Sequence, residues 1–214
     1  FIMLSSGGIT SSDTARKFPV RIIKSGPTAA VIASQYYGNM LKIKDIFCFD
    51  MGGTTAKLGA VDDGIPAITP TFEVDPIRYR PGSGLPISVP AIELLEIGAG
   101  GGSIARTEFG VIHIGPESAG ADPGPICYGL GGQRPTITDA NLVLGYLNPN
   151  FFNGGAMTLN VEAAKVGIAR DIGEPLELDI DRAAWGIHAV ANANMEKAMR
   201  IVSVERGRDP RRYS

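Results

Sequence analysis

The feature that most restricts the fold is an acidic, glycine-rich turn set between two apolar runs. Ile46 to Asp50 is apolar and ends on a carboxylate; Met51, Gly52, Gly53, Thr54 and Thr55 follow, and Ala56 to Val61 is a second apolar run. Each run is short enough for a buried strand. Ahead of them Ser25, Gly26, Pro27 and Thr28 open a helix from Ala29 to Tyr37 that Gly38 should stop, with Pro in the first turn and Gly just past the end. The unit therefore reads as helix, strand, glycine turn, strand.

The turn has two readings. Glycine lets backbone approach a phosphate closely, consecutive N–H groups can form an anion nest, and Thr54 and Thr55 can add donors. Asp50 would repel phosphates unless a cation intervened, which makes it a candidate partner for Mg-bound water. Alternatively, the segment is a plain hairpin whose glycines supply positive φ. Its order fits neither GxGxxG nor GxxxxGK[ST], so a Rossmann or P-loop reading has little support.

Glycine returns at Gly98, Gly100, Gly101 and Gly102 before Ser103, and again from Gly115 to Pro125. With apolar runs on both sides, this density favours close backbone approach over a flexible linker. Thr71 to Pro90 reads as a Pro-rich surface excursion with Glu73, Arg78 and Arg80 solvated. Phe1 to Leu4 reads as a buried strand and Ser12 to Phe18 as a helix. Thr138 and Asp139 look like a cap before a helix from Ala140 to Leu147. Asp181 should cap a long helix to about Arg206, with Trp185, Ile187, Val190, Met195, Met199 and Val202 as its apolar stripe and Gly207 as its stop. Arg206, Arg208, Arg211 and Arg212 then form a solvated helix end. The organisation divides into a phosphate-loop core (1–70), a Gly/Pro-rich insertion (71–135) and a mainly helical part (136–214).

The charges, 20 Lys and Arg against 22 Asp and Glu, nearly cancel, so no overall field draws nucleic acid or an anionic membrane. No run approaches the ~20 apolar residues of a membrane span. Cys48 and Cys127 form no disulfide framework and fit a reducing cytosol. His113 and His188 lie in different segments, which leaves no His/Cys metal spacing. Cys127 has no identifiable histidine base, so a packed thiol is preferred to a nucleophile.

The order Ser25-to-Ala33 helix, strand, Asp50-to-Thr55 turn resembles the second phosphate loop of the actin, heat-shock chaperone and sugar kinase superfamily, where a hairpin grips the nucleotide phosphates. Three further stretches, Ile97 to Ala105, Gly115 to Gly129 and Pro135 to Gly145, resemble the hydantoinase A/oxoprolinase family, and the likeness covers nearly the whole chain. That family includes N-methylhydantoinase, 5-oxoprolinase and the ATP-binding subunits of acetone and acetophenone carboxylases.

The resemblance implies an α/β fold: one lobe of an actin-like ATPase with a Gly/Pro-rich insertion and a helical C-terminal part, cut at both ends from a longer protein. It implies ATP and Mg as cofactors, cytoplasmic location, and opening of a cyclic amide of hydantoin or 5-oxoproline type by carbonyl phosphorylation. The alternatives are ketone carboxylation or a non-catalytic nucleotide switch. A hydantoinase B-type subunit or domain is the implied partner, and a homo-oligomer is compatible. Asp50 is the implied catalytic and metal residue. Gly52, Gly53, Thr54 and Thr55 are the implied phosphate contacts, with Gly100, Gly101, Gly102 and Ser103 as a second backbone loop. Lys57 stands where many relatives carry an acidic residue, so it either offers a counter-charge or points to solvent. Asp122 and Asp139 are polar candidates near the same cleft, Asp139 more readily a helix cap. By itself the segment is expected to bind ATP weakly or not at all and to have no turnover.

Overall fold

A computed structural model describes residues 1–74 and 82–214. Alternating segments build two compact units. The first holds Phe1–Asp50, Lys57–Glu96 and Ala198–Ser214; the second holds Met51–Ala56 and Ile97–Lys197.

The first unit opens with β1 (Ile2–Met3) paired antiparallel to β2 (Ile9–Thr10), then α1 (Ser12–Lys17) and α2 (Ser25–Leu41). The Ser11 hydroxyl caps α1 by accepting from the Thr14 N–H at 3.2 Å. The strands that follow are β3 (Ile46–Met51), β4 (Ala56–Asp62), β5 (Ile65–Pro66), β6 (Ile68–Thr69), β7 (Phe72–Val74), β8 (Leu85–Ile87), β9 (Ala91–Ile92) and β10 (Leu94–Ile97). The main sheet runs β10-β4-β3, with β5 folded back on the end of β4. As the middle strand, β4 is buried continuously from Leu58 to Val61 rather than alternately. Val31 of α2 meets Cys48, Val61 and Ile92 in the core. Gly59 admits that helix, because a Cβ there would stand 2.6 Å from the Val31 methyl.

Several local expectations change here. Gly38 does not stop α2; the helix runs on to Leu41 and ends at Lys42, which takes the left-handed conformation. Gly38 is a packing residue, since a Cβ on it would lie 2.8 Å from the Ile43 carbonyl. The Thr71–Pro90 excursion contains the antiparallel β7/β8 pair, with Phe72 only 7% exposed. Glu73 is half-buried and engaged: its carboxylate accepts the Gly82 and Gly84 N–H groups, and these bonds hold its pKa below the usual value. Arg78 and Arg80 lie outside the described residues.

The arginine cluster, expected in solvent, is exposed at Arg206, Arg211 and Arg212, and its members are also paired. Arg208 grips the Asp62 carboxylate through two nitrogens, at 2.9 and 2.7 Å. The Tyr213 hydroxyl donates to the same carboxylate at 2.6 Å while its ring stacks on Phe47. Arg206 pairs with Glu93 and Arg212 with Asp45. Phe1, expected in a buried strand, is fully exposed.

The second unit contains the hairpin β11 (Ser103–Glu108) and β12 (Val111–Ser118), then α3 (Ile137–Val143), α4 (Val161–Ile168), α5 (Glu174–Leu176) and most of α6 (Ile180–Val202). Ala183, Ala184, Ile187 and Ala191 of α6, spaced three and four apart, bury against Ala105, Ile137, Ala140, Ile168 and Ile172. Trp185 is not on that stripe; it is 55% exposed and stacks on His188, whose other ring neighbour is Tyr146. The α6 cap comes from Asp179 rather than Asp181, its carboxylate accepting the Arg182 N–H at 2.8 Å. The helix ends at Val202, and Gly207 closes a separate 3-10 turn over Val204–Arg206. Among the described residues no helix is long and apolar enough to cross a membrane.

Candidate functional site

The Gly52–Thr55 turn joins β3 to β4, neighbouring strands of the sheet, and the Gly52 N–H donates to the Thr55 carbonyl at 2.9 Å. Gly52, Gly53 and Thr54 are exposed and Thr55 is half-buried. Neither glycine has a left-handed φ. Positive φ therefore does not account for glycine at either position. Space does not require glycine at 53 either, since a Cβ there would meet nothing within 4 Å.

The second glycine loop backs this turn within the same unit. The Gly101 N–H donates to the Gly52 carbonyl at 3.0 Å, and the Gly102 N–H to the Gly53 carbonyl at 2.6 Å. Both peptides of the turn are trans, the cis peptides of the described residues being Gly115–Pro116 and Asp122–Pro123. In a trans peptide the N–H points opposite to the C=O. With the carbonyls of Gly52 and Gly53 held inward, the N–H groups of Gly53 and Thr54 face away from the backing loop. This leaves two consecutive N–H donors on an exposed turn, an arrangement able to donate to an anion.

Here glycine is a packing requirement. A Cβ at Gly100 would lie 2.6 Å from the Thr54 nitrogen and 2.7 Å from the Gly52 carbonyl oxygen; one at Gly102 would lie 2.9 Å from the Gly53 carbonyl oxygen. Ser103 is fully buried, its hydroxyl accepting the Gly100 N–H at 2.9 Å and its own N–H donating to the Gly100 carbonyl. Behind the loop, the Ala119 N–H donates to the Gly102 carbonyl at 2.8 Å, and Thr138 donates twice to the Gly101 carbonyl, from N–H at 2.8 Å and hydroxyl at 2.9 Å.

Asp139 anchors the brace. It is fully buried, and its carboxylate accepts from the N–H and hydroxyl of Thr136 and from the N–H groups of Ile126 and Cys127. Thr136 and Asp139 form a reciprocal capping box on α3, so the cap begins two residues earlier than Thr138. Burial, then the neighbouring Asp139, pushes the Cys127 thiol far above its ordinary range, which disfavours the nucleophilic thiolate. Burial raises the Cys48 thiol as well.

The remaining candidates are placed differently. Asp50 is exposed at the end of the first unit's segment, two residues before the turn. Lys57 lies in the first unit and pairs with Glu96 at 3.6 Å, its side chain only 22% exposed. Asp122 is exposed. Thr138, read as part of a cap, is the site residue that sequence reasoning missed. Its partner is 37 positions away, and no local signal marks it.

The three stretches that converge on the turn, from 97, 115 and 135 onward, lie within a match to the hydantoinase/oxoprolinase model over residues 1–214. The chain belongs to the hydantoinase/oxoprolinase family. Relatives of this family member include an uncharacterised protein of Methanocaldococcus jannaschii, 44% identical over all of this chain and 32% of that one. Another is the caprolactamase subunit alpha of Pseudomonas jessenii, 42% identical over 98% of this chain and 29% of that one. The family member thus spans about a third of the length of these relatives. Among solved structures, nucleotide-free acetone carboxylase superposes with a TM-score of 0.83 at 32% identity, covering 99% of this chain and 29% of that one. The ATP-dependent caprolactamase of P. jessenii gives 0.76 at 40% identity, covering 91% and 27%.

Proposed function

We propose that this chain carries the phosphate-binding turn of an ATP-dependent hydrolase that opens cyclic amides, set in one lobe of an actin-like fold. The observation that supports it most is the Gly52–Thr54 turn, with carbonyls tied down, N–H groups turned out, and a glycine at 53 that the fold does not need. A side chain missing where the fold leaves room for one fits a surface reserved for a close ligand.

In this reading the N–H groups of Gly53 and Thr54 and the hydroxyls of Thr54 and Thr55 bind phosphate oxygens. Gly100, Gly101, Gly102 and Ser103 shape the turn from behind. Lys57 stays with Glu96 and is assigned no phosphate contact. The exposed Asp50 carboxylate suits a Mg ion that keeps its waters, bound through water and phosphate rather than in a protein cage. Bound ATP would supply the phosphoryl group that activates an otherwise stable carbonyl oxygen. The chain's own part is to hold phosphates and spread their charge over fixed backbone dipoles.

Ring opening is preferred because the ATP-dependent caprolactamase is the more similar of the two named enzymes in sequence, at 42% identity in its alpha subunit. Ketone carboxylation is the second reading, favoured by the closer superposition on acetone carboxylase. A partner subunit fits both, since relatives are named as subunits. The test is ATP-coupled turnover of hydantoins, 5-oxoproline, lactams and simple ketones by the intact protein, with and without a hydantoinase B-type partner. Stoichiometric loss of one cyclic amide with ATP hydrolysis supports the proposal. Bicarbonate-dependent loss of a ketone selects the second reading, and nucleotide-dependent partner binding without turnover makes the protein a switch.

A further inference from the structure

We infer that Thr138 is a positioning residue for the phosphate turn, acting through two peptide groups rather than by touching the ligand. This rests on the phosphate-binding reading of that turn. Thr138 is 7% exposed, and its N–H and hydroxyl both donate to the Gly101 carbonyl. That carbonyl shares a trans peptide with the Gly102 N–H, which points the opposite way and donates to the Gly53 carbonyl at 2.6 Å. The Gly53 carbonyl in turn shares a peptide with the Thr54 N–H, which points out of the turn. Thr138 therefore lies at the buried head of a line of aligned dipoles whose exposed end is the Thr54 N–H.

A parallel line starts at Ser103. Its N–H donates to the Gly100 carbonyl at 2.9 Å; the Gly101 N–H on that peptide donates to the Gly52 carbonyl, and the Gly53 N–H faces outward. Chained hydrogen bonds polarise one another, so each line strengthens its terminal donor as well as aiming it. The two differ in one respect. The Ser103 line is headed by backbone alone, whereas the Thr138 line has a side-chain hydroxyl as second donor, which substitution can remove without disturbing the backbone path. Gly101 must be glycine for this approach, since a Cβ there would lie 2.7 Å from the Thr138 hydroxyl oxygen.

Thr138→Val keeps the shape and deletes the hydroxyl; Thr138→Ser keeps the hydroxyl and deletes the methyl. In the intact protein, Mg-ATP affinity is measured by calorimetry, and backbone protection around Gly101 and Gly102 by hydrogen exchange without nucleotide. The expected result is a loss of ATP affinity of about tenfold for Thr138→Val, the weight of one hydrogen bond, together with faster exchange at Gly101 and Gly102. Thr138→Ser should stay within about threefold of wild type on the same scale. Wild-type affinity in Thr138→Val overturns the inference while leaving the phosphate-binding reading intact. Equal losses in both variants also overturn it, because packing and not the hydroxyl would then be responsible. No ATP binding by the wild-type protein removes both.

Discussion

The Gly102 N–H donates to the Gly53 carbonyl across 2.6 Å, and the two glycines are glycine for opposite reasons. Gly102 has no room for a side chain, with the Gly53 carbonyl oxygen and the Ser118 hydroxyl both 2.9 Å from where a Cβ would sit. A Cβ on Gly53 would meet nothing within 4 Å. One residue serves the packing of the scaffold and the other leaves space over the exposed turn.

Gly102→Ala is therefore expected to destabilise the protein by about 1–3 kcal/mol, the cost of forcing a methyl into a filled site. Thermal unfolding of the intact protein without nucleotide reads this directly. A melting temperature equal to wild type would mean that the two loops are not in this contact.

Asp139→Asn should cost about 3 kcal/mol or more. The carboxylate accepts four hydrogen bonds in a fully buried position, and an amide NH2 in place of one oxygen would confront N–H donors and leave them unsatisfied. Chemical denaturation checks it. Because Asp139 also ties Ile126 and Cys127 to the start of α3, the variant should expose the buried Cys127 thiol to alkylation, which the wild type resists.

The tie of Asp62 to Arg208 and Tyr213 sets a pH dependence. The Arg208 guanidinium, assisted by the Tyr213 hydroxyl, holds the Asp62 carboxyl below its ordinary range. A carboxyl depressed in the folded state adds stability above its unfolded pKa and loses it as pH falls through the folded value. The contribution, about 1 kcal/mol for a partly exposed pair, is thus complete at neutral pH and fades below about pH 4. Burial and then Asp62 push the Tyr213 phenol up to about 12, so the stability its bond adds is complete below about pH 10 and is lost as pH rises through about 12. The stability gap between wild type and Asp62→Asn should be flat from about pH 5 to 9 and narrow on both sides. A gap that widens in acid would contradict this assignment.

The strand, turn and strand of 46–61 were legible because apolar runs bounded by glycine and charge leave few alternatives, and β3 and β4 formed there. The long C-terminal helix was legible from its spacing, but its face was only partly so. Trp185 was counted as apolar, yet it stacks on His188 in the open, while small Ala183, Ala184 and Ala191 fill the core. Gly38 misled for a related reason: the sequence shows a helix stop, but the packing of Ile43 decides it. The motifs at 97–105, 115–129 and 135–145 could be recognised one by one. That they form a single brace behind Gly52 and Gly53 depends on contacts such as Thr138 to Gly101, which no periodicity encodes.

The most direct test of the account is Mg-ATP binding by the intact protein and its Gly53→Ala variant, with unfolding followed in the absence of nucleotide. A Cβ at 53 meets nothing within 4 Å, and a methyl there would crowd a phosphate held by the neighbouring N–H groups, so melting should be no lower than wild type while ATP affinity falls by about tenfold or more. Unchanged ATP affinity in Gly53→Ala would contradict phosphate binding at this turn.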